Sequence, residues 1–574
     1  MKTNTFVFFS SILLVLVYFL TWQIKPFEYG DTSEFFPATA LLYVEQKNVS
    51  DFLDDVESSK LGKAIQSIKF LKIGRELELE KEKIALIQNI NSLIKDNWSN
   101  EVIRELFGQK IALALLQPQN SINHSDINEF LKASTVLVAQ PKHKAELLQI
   151  MAERYVALKE NISISTHQYG AHHIKRIKTE RTQFSVVVLN GLYFISFEEK
   201  QLRRCIDTFD AEIPSLIERA EYIALRDNYS DPDQFLYLSL KNSREFVRNG
   251  LLTYEFSVKD IVEKEVAATV GFDGISYGAW KNENLIKDRI MILHNDKIAN
   301  NFVENQLRLP PSICETMKFS PPKPLVFYWT NVLNFGSLYE YYNKKSAESD
   351  NKLAVLSKTL QLQSGETIEQ LLSYLGQEFS YIITASHDSN FLSIPYGLML
   401  IEIKNREKLE TTLEKLISRY DFPFKEQKHG TTSFYSWENS PQDGLEPLYG
   451  FLDNYLFIGN SRSLLKKVID RRKEGDSLLK DPEFIEVDGG LTKANNYVSY
   501  TNNAELIKIF KSLLTLSSTV IAIEDKEAAK RVSILTKDVI NPLLNGLSMF
   551  ARTATRSYFT ENSVTIDSMT MVVD

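Results

Sequence analysis

The longest apolar run of the chain lies close to its first residue. Phe6–Ile24 reads FVFFSSILLVLVYFLTWQI, nineteen residues without a charge. A helix of this length rises roughly 1.5 Å per residue and so just crosses a hydrocarbon core of about 30 Å. Lys2 precedes the run, and Lys25 and then three acidic residues follow it, which favours a cytoplasmic N-terminus. The pattern predicts a cytoplasmic tail, 1–5, a transmembrane anchor, 6–24, and the rest of the chain outside the cytoplasm.

A cleaved signal peptide is the alternative interpretation of this segment. Its apolar region is typically about 7–15 residues long and is followed by small residues at the cleavage site. Here the run is longer, and LTWQIKPFEYGD places bulky residues where a signal peptidase requires small ones. An uncleaved anchor is therefore favoured. Since no later stretch is as long and as apolar, the remainder is expected to be a folded body and not a channel.

Shorter apolar runs, interspersed with helical patterns, fill the rest of the chain. TQFSVVVLNGLYFISF places two β-rich runs on either side of Asn190–Gly191, a dipeptide that favours a two-residue hairpin turn. Asp453–Asn454 holds the same place in LYGFLDNYLFIGN. Hairpins mixed with helices predict an α+β fold in which each domain is a largely antiparallel sheet packed with helices.

One stretch of sequence, typical of a strand followed by a helix and called the repeated phrase below, occurs twice. GLYFISFEEKQLRRCID (191–207) and NYLFIGNSRSLLKKVID (454–470) align without a gap at an offset of 263 residues. Other residue matches between the two halves follow the same order along the chain: Tyr43 with Tyr328, Gly108–Gln109 with Gly376–Gln377, Gly170 with Gly430, and Asn242 with Asn502. Conserved order at nearly constant offset predicts an internal duplication.

The junction between the halves is rich in proline. Residues 308–324 contain five of the seventeen prolines, a composition typical of an extended spacer. The predicted organisation is therefore a first domain at 34–307, a linker at 308–324 and a second domain at 325–574.

Composition narrows the possible functions only a little. The chain has 574 residues, an apolar fraction of 44% and a net charge of −8, and no basic stripe suggests a nucleic-acid partner. Its two cysteines, Cys205 and Cys314, exclude a disulfide-dense scaffold and a cysteine-based zinc site, although one bridge between them stays open. Val468 matches Cys205 in the second copy, which favours a buried apolar role for that cysteine.

The sequence contains none of the familiar catalytic motifs. Nucleophile-elbow, phosphate-loop, zinc-protease and dinucleotide motifs are absent. His167, His172 and His173 form a small cluster, but neighbours on a strand point to opposite faces, so a solvated strand edge is favoured over a metal site. Gly271–Gly278 opens no helix and favours a hairpin. No catalytic, cofactor-binding or metal-binding residue is predicted, and no cofactor.

Part of the first half resembles a known family. Phe35–Ile65 combines Pro37, Tyr43–Val44–Glu45 and Ser59-Lys60-Leu61-Gly62-Lys63, and is similar to the opening of bacterial envelope proteins grouped as domain of unknown function 3352. Phe107–Gln109 and the phrase at 191–207 also resemble that family. The resemblance implies a membrane-anchored bacterial protein outside the cytoplasm, and it implies no reaction.

Three functions are compatible with these observations. The first is a non-catalytic binding or scaffold module of the cell envelope, held at the inner membrane by its own helix and bound to an envelope protein. The alternative is a carrier of lipid or another apolar ligand, for which 34 Phe and 25 Tyr supply ample lining. The third is a hydrolase whose site lies between the two halves, with residues distant in sequence.

Overall fold

The structure is a computed structural model. It describes residues 30–80, 82–85, 107–119, 127–141, 162–179, 182–251, 263–264, 266–298, 300–346, 352–386, 394–419, 423–437 and 442–573. The predicted anchor, 6–24, lies outside the described residues. Within the described ranges, no helix combines the length and apolarity needed to cross a bilayer.

The chain divides into two compact units. The first comprises residues up to Lys63 together with Lys69–Trp280, and the second comprises Ala64–Ile68 and the residues from Lys281 onward.

The strands of the first unit form an antiparallel sheet. They are β1 Leu42–Lys47, β2 Lys110–Leu115, β3 Thr135–Gln140, β4 Ser163–Tyr169, β5 His172–Lys178, β6 Gln183–Leu189, β7 Leu192–Ser196, β8 Gln234–Ser239 and β9 Phe272–Asn282. Their spatial order is β9-β8-β1-β2-β3-β7-β6-β5-β4. Asn190 and Gly191 both have positive φ in the turn that joins β6 to β7, as the hairpin prediction requires.

The strands of the second unit also pair antiparallel. They are β10 Leu285–His294, β11 Ser312–Ile313, β12 Val326–Thr330, β13 Leu375–Thr384, β14 Tyr396–Ile403, β15 Phe424–His429, β16 Thr432–Trp437, β17 Leu448–Leu452, β18 Tyr455–Gly459, β19 Ala494–Asn495, β20 Tyr497–Asn502, β21 Phe550–Phe559 and β22 Ser563–Val572. Short β11 pairs with β19, and the others follow the order β10-β22-β21-β20-β12-β13-β14-β18-β17-β16-β15. The predicted α+β class with a mostly antiparallel sheet is confirmed.

Helices connect these strands. The α-helices are α1 Val49–Ser58, α2 Lys60–Ser67, α3 Phe70–Glu76, α4 Ile127–Ser134, α5 Glu199–Phe209, α6 Ala220–Arg226, α7 Leu240–Leu251, α8 Asn301–Leu307, α9 Phe335–Ser346, α10 Lys352–Ser364, α11 Ile368–Ser373, α12 Arg406–Arg419, α13 Arg462–Glu474, α14 Pro482–Val487, α15 Asn503–Glu524, α16 Lys526–Leu535 and α17 Asn541–Leu547. Short 3₁₀ turns occupy Thr32–Phe35, Leu216–Glu218, Glu315–Phe319 and Leu478–Lys480, and a π-helical turn occupies Thr536–Ile540.

Each sheet buries one face, here called the inner face. In the first unit the inner side chains include Tyr43 and Phe194, and α5 contributes Leu202, Cys205 and Ile206. In the second unit Phe327, Trp329 and Phe457 pack with α13 around the main core. Because consecutive strand residues point to opposite faces, each sheet also has an outer face.

The proline-rich stretch 308–324 takes part in the second core. Cys314, Met317 and Phe319 are buried there, within or beside the 3₁₀ turn that begins at Glu315. The stretch therefore packs against the second sheet and is not a free extended spacer. Cys205 and Cys314 are both buried and unbridged, and burial raises the pKa of each thiol to about 12.

Two of the residue matches between the halves, Tyr43 with Tyr328 and Asn242 with Asn502, are out of register in the structure. Leu41 accepts a backbone hydrogen bond from Ser239, and Leu325 accepts the matching bond from Asn502. Val44 therefore corresponds to Tyr328, and Ser239, not Asn242, to Asn502. The pairing of Tyr43 with Tyr328 is wrong by one residue, enough to move a strand side chain to the opposite face.

Candidate functional site

The outer face of the second sheet carries an unbroken row of large apolar side chains. Six neighbouring strands, β12, β13, β14, β18, β17 and β16, each contribute one residue opposite the next. This row, called the aromatic strip below, consists of Tyr328, Tyr381, Met399, Ile458, Tyr449 and Tyr435.

The tyrosines of the strip are held by one another. Tyr328 stacks on Tyr381 with ring centroids 4.9 Å apart and an interplanar angle of 8°, and Tyr497 of β20 meets Tyr328 edge-on at 5.0 Å. Tyr435 and Tyr449 stack at 5.0 Å and 11°. Rings fixed in this way present a stiff surface that loses little entropy on binding.

Helices cover the adjacent row of the same face. Phe379, Ile401, Leu456 and Phe451 lie side by side and pack with residues from α9, α11 and α12. By contrast, Met399 and Ile458 in the aromatic strip are 38% and 37% exposed. The centre of the strip is thus open, whereas its tyrosines are partly buried and Tyr449 also packs against the covered row.

The phenols of the strip stay neutral. Burial raises the pKa of Tyr328 to about 12, with smaller contributions from Tyr497 and Tyr381. Burial likewise raises the pKa of Tyr381, Tyr435 and Tyr449. These side chains can therefore donate a hydrogen bond but carry no charge at neutral pH.

A second apolar surface lies on the helices that follow β20. A groove of about 570 Å³ is lined by Asn503, Leu506, Ile507, Ile509, Phe510, Leu513, Leu547 and Phe550. Phe510 and Leu513 are 49% and 45% exposed. Its volume falls in the range of small-molecule sites. This surface is called the α15 groove.

The first unit has a corresponding outer row of a different kind. The residues opposite one another from β9 to β6 are Tyr277, Leu236, Val44, Leu113, Leu137, Ile195 and Val186. All are partly buried, and all but Tyr277 are aliphatic. This row is called the aliphatic strip.

The residues considered for chemistry from the sequence fall elsewhere. His167 lies 3.5 Å from Glu199, and His172 lies 3.1 Å from Asp210, so each imidazole faces a different carboxylate. In the described part of the chain, no group of three or more His, Cys, Asp or Glu side chains is placed to hold a metal. Gly271–Gly278 leads into β9 and runs along it, so the hairpin turn predicted at these glycines is wrong.

Two partly buried glutamates in the second unit, Glu378 and Glu402, stabilise the local structure of a strand. β13 carries a bulge between Leu375 and Phe379, and the Glu402 carboxylate accepts hydrogen bonds from the backbone N–H groups of Gln377 and Glu378 at 2.9 and 3.2 Å. Burial raises the pKa of Glu378, whose carboxylate accepts a hydrogen bond from the Tyr455 hydroxyl at 2.7 Å. These contacts anchor the bulge.

Sequence reasoning did not find the aromatic strip. Its members occupy six separate strands, and no two of them share a local motif. The available signal was that runs such as PLVFYW are apolar on both alternating positions, which indicates a strand covered on both faces.

Comparison with known proteins gives a family and little more. No curated protein matches the sequence. Crystal forms III, I and IV of TP0453 show 11%, 9% and 10% identity, cover 50%, 48% and 45% of this chain and 89%, 84% and 80% of theirs, and give TM-scores of 0.23, 0.23 and 0.20. At these scores the similarity supports no conclusion.

The family resemblance seen in the sequence can be tested directly. The matching family model begins at residue 97, so Phe35–Ile65, which carried much of that resemblance, precedes the matched stretch. The match instead extends through most of both units. Because the model described as "Protein of unknown function (DUF3352)" matches residues 97–536, well over half of the chain, this chain belongs to that family.

Proposed function

We propose that this protein is a non-catalytic binding module of the bacterial cell envelope that holds an apolar ligand on the aromatic strip. The single observation that carries the proposal is the unbroken row from Tyr328 to Tyr435. A pleated sheet can leave its outer side chains polar, but here six adjacent strands all present apolar ones. Exposed contiguous apolar surface of this kind marks binding sites for ligands or partners.

The anchor and the compartment belong to the same proposal. The uncharged run Phe6–Ile24 supports a single-pass protein of the inner membrane with its body outside the cytoplasm. Fusion of alkaline phosphatase after residue 34 and after residue 573 tests this topology. Both fusions are expected to be active, because that enzyme folds only outside the cytoplasm, and two inactive fusions would contradict it.

We also infer that the two units arose by duplication. Strands β1–β9 and the set β12–β18 plus β20–β21 follow the same chain order and the same spatial order. Two side-chain ties support the inference. The Tyr169 hydroxyl donates to Asp207 at 2.9 Å, and His429 at the equivalent turn meets Asp470 at 2.6 Å. Each tie fixes a hairpin to the helix that forms the second part of the repeated phrase.

Photolabelling of the full chain in its own membrane tests the ligand proposal. Membranes that contain the full chain are incubated with a monoacylglycerol whose acyl chain carries a diazirine and an alkyne, then irradiated, and the labelled peptides are mapped by mass spectrometry. Peptides from 326–459 are expected to carry label. Met399→Glu should reduce that label about tenfold, since a charge on the strip opposes an apolar ligand by at least about 1.4 kcal/mol.

A matched variant separates the strip from the α15 groove. Leu513→Glu places the same charge on a side chain of similar exposure, 45% against 38% for Met399, and should leave labelling of 326–459 unchanged. Label confined to 6–24 and 503–550 in the unaltered protein would overturn the proposal. Crosslinking of the strip to another protein, without lipid label, would assign the face to a protein partner instead.

A further inference from the structure

Beyond Tyr328, the row of outer side chains that contains the aromatic strip continues with polar residues. Tyr328 lies opposite Ser499, Ser499 opposite Thr555, Thr555 opposite Ser568, and Ser568 opposite Asp288. All five belong to the second unit and share its outer face. The last four, on β20, β21, β22 and β10, are called the hydroxyl strip.

The hydroxyl strip is arranged for further hydrogen bonding. The Thr555 hydroxyl donates to Ser568 at 3.1 Å, and in the next row the hydroxyls of Thr553 and Thr570 lie 3.1 Å apart. A hydroxyl can donate once and accept twice, so these pairs leave acceptor positions unused. The strip is thus a polar surface directly beside the apolar one.

Asp288 closes the strip with a carboxylate that has no cationic partner among the described residues. The nearby guanidinium groups of Arg289 and Arg556 point to the inner face, where both bind Asp567, at 2.6 and 2.8 Å. Burial and the charge of Asp567 raise the pKa of Asp288 to about 6, so the group is still ionised at neutral pH. Aspartate is disfavoured within a strand, and a half-buried charge without a partner is costly.

We propose that the ligand is a single- or double-chain lipid whose uncharged or cationic head group donates hydrogen bonds to the hydroxyl strip while its hydrocarbon chain lies along the aromatic strip. This inference rests on the proposed function and adds the class of lipid. An ionised Asp288 attracts hydroxyl or ammonium donors and repels a phosphate or carboxylate. The charge at the end of the strip therefore disfavours anionic lipids.

The dimensions agree with this orientation. Neighbouring strands lie about 4.8 Å apart, so the aromatic strip, with five intervals, spans about 24 Å. One leaflet of a bilayer core, half of about 30 Å, is the length of one extended lipid chain. The aromatic strip therefore accommodates a whole chain, and the hydroxyl strip, with three intervals, adds about 14 Å for a head group.

Competition in the photolabelling assay tests the head-group preference on the full chain. Monooleoylglycerol, oleylamine and oleic acid share a hydrocarbon chain and differ in head-group charge. Each is added before irradiation, and label on 326–459 is measured. Monooleoylglycerol and oleylamine are expected to compete at least about tenfold better than oleic acid.

Two variants assign the preference to Asp288. Asp288→Asn removes the charge with little change of shape and should bring oleic acid to within about twofold of monooleoylglycerol. Asp296→Asn, in the exposed turn after the same strand, should leave the unaltered ranking. Equal competition by all three lipids in the unaltered protein, or an unchanged ranking in Asp288→Asn, would overturn the head-group inference while leaving the strip as a lipid site. Absence of label from 326–459 would instead overturn the proposed function.

Discussion

The two units pair their strands in the same order but differ in what the outer face presents. Positions that hold Leu236, Val44 and Leu113 in the first unit hold Ser499, Tyr328 and Tyr381 in the second. The aliphatic strip is aliphatic at every position except Tyr277, whereas the corresponding row of the second unit changes from hydroxyl to aromatic side chains at β12. The common inner face thus maintains the fold, and the outer face carries the difference in chemistry.

The inner face should be the most sensitive to mutation in both units. Phe194 and Phe457 occupy matching positions in β7 and β18, and both are fully buried. Phe194→Ala and Phe457→Ala are each expected to lower the free energy of unfolding of their own unit by about 3–5 kcal/mol. Hydrogen exchange of peptides 183–196 and 448–459 reports the two effects separately.

Phe197→Ala provides the control for that comparison. Phe197 follows β7 but is 49% exposed, so its removal should change stability by no more than about 0.5 kcal/mol. If either buried variant costs as little as this control, the two inner faces do not play the same role.

A carboxylate between two arginines occurs in both units. The two carboxylates are similarly buried, with Asp567 7% and Glu199 10% exposed. The arginines differ: Arg289 and Arg556 beside Asp567 are 22% and 14% exposed, whereas Arg176 and Arg203 beside Glu199 are 37% and 44% exposed. Asp567→Asn should cost about 3–5 kcal/mol, because it leaves two largely buried guanidinium groups without their anion. Glu199→Gln should cost at most about 1 kcal/mol.

Chemical denaturation followed by hydrogen exchange in each unit measures both costs. Because the two ion clusters differ in how far they are buried, added salt should reduce the destabilisation by Glu199→Gln and hardly alter that by Asp567→Asn. Equal costs for the two variants would show that burial does not distinguish these ion clusters.

The sequence specifies the strands better than it specifies their registers. Asn190–Gly191 identifies a hairpin because few other dipeptides adopt two positive φ angles. The slip of Tyr43 against Tyr328 arises because LLYV and LVFY are apolar at every position. Without an alternating polar residue, nothing local marks which side chains point inward.

The candidate site could be predicted only in fragments. Asp288 was visible as an acidic residue within the strand-like run DRIMILH, which is unusual for a strand. Its position beside Ser568 could not be predicted, because β10 pairs with the last strand of the chain, 278 residues away at the Arg289–Asp567 pair. Long-range pairing of this kind leaves no local signal.

Asp288 and Asp567 should respond to pH in opposite directions, although their strands are neighbours. The pKa of Asp288 is raised to about 6 from an unfolded value of about 3.9, so its protonated form stabilises the fold below about pH 4 and this contribution is lost as the pH rises through 6. Asp288→Asn should therefore stabilise the protein at pH 7.5 by about 1 kcal/mol, allowing for solvent screening, and have no effect at pH 4.

Asp567 provides the opposite case. Burial alone would raise its pKa, but Arg289 and Arg556 together hold it below the usual value. Its stabilisation is present above about pH 4 and is lost as the pH falls through the lowered pKa. Denaturation midpoints between pH 3 and 8 measure both trends, and a destabilising Asp288→Asn at pH 7.5 would contradict the assignment for Asp288.

The smallest expected effects concern the two ties between hairpin and helix. Tyr169→Phe removes the hydroxyl that donates to Asp207, and this hydrogen bond also raises the pKa of Tyr169. Because the contact is partly exposed to water, its loss should cost about 0.5–1 kcal/mol.

His429→Phe should cost a similar amount by losing the bond to Asp470, and His429→Gln, which can still donate, should restore part of it. Exchange of peptides 163–178 and 424–437 measures both costs. Since the two ties join different residue types at matching positions, equal costs would show that the contact stabilises both units although its side chain differs. A cost in only one unit would make the other tie incidental.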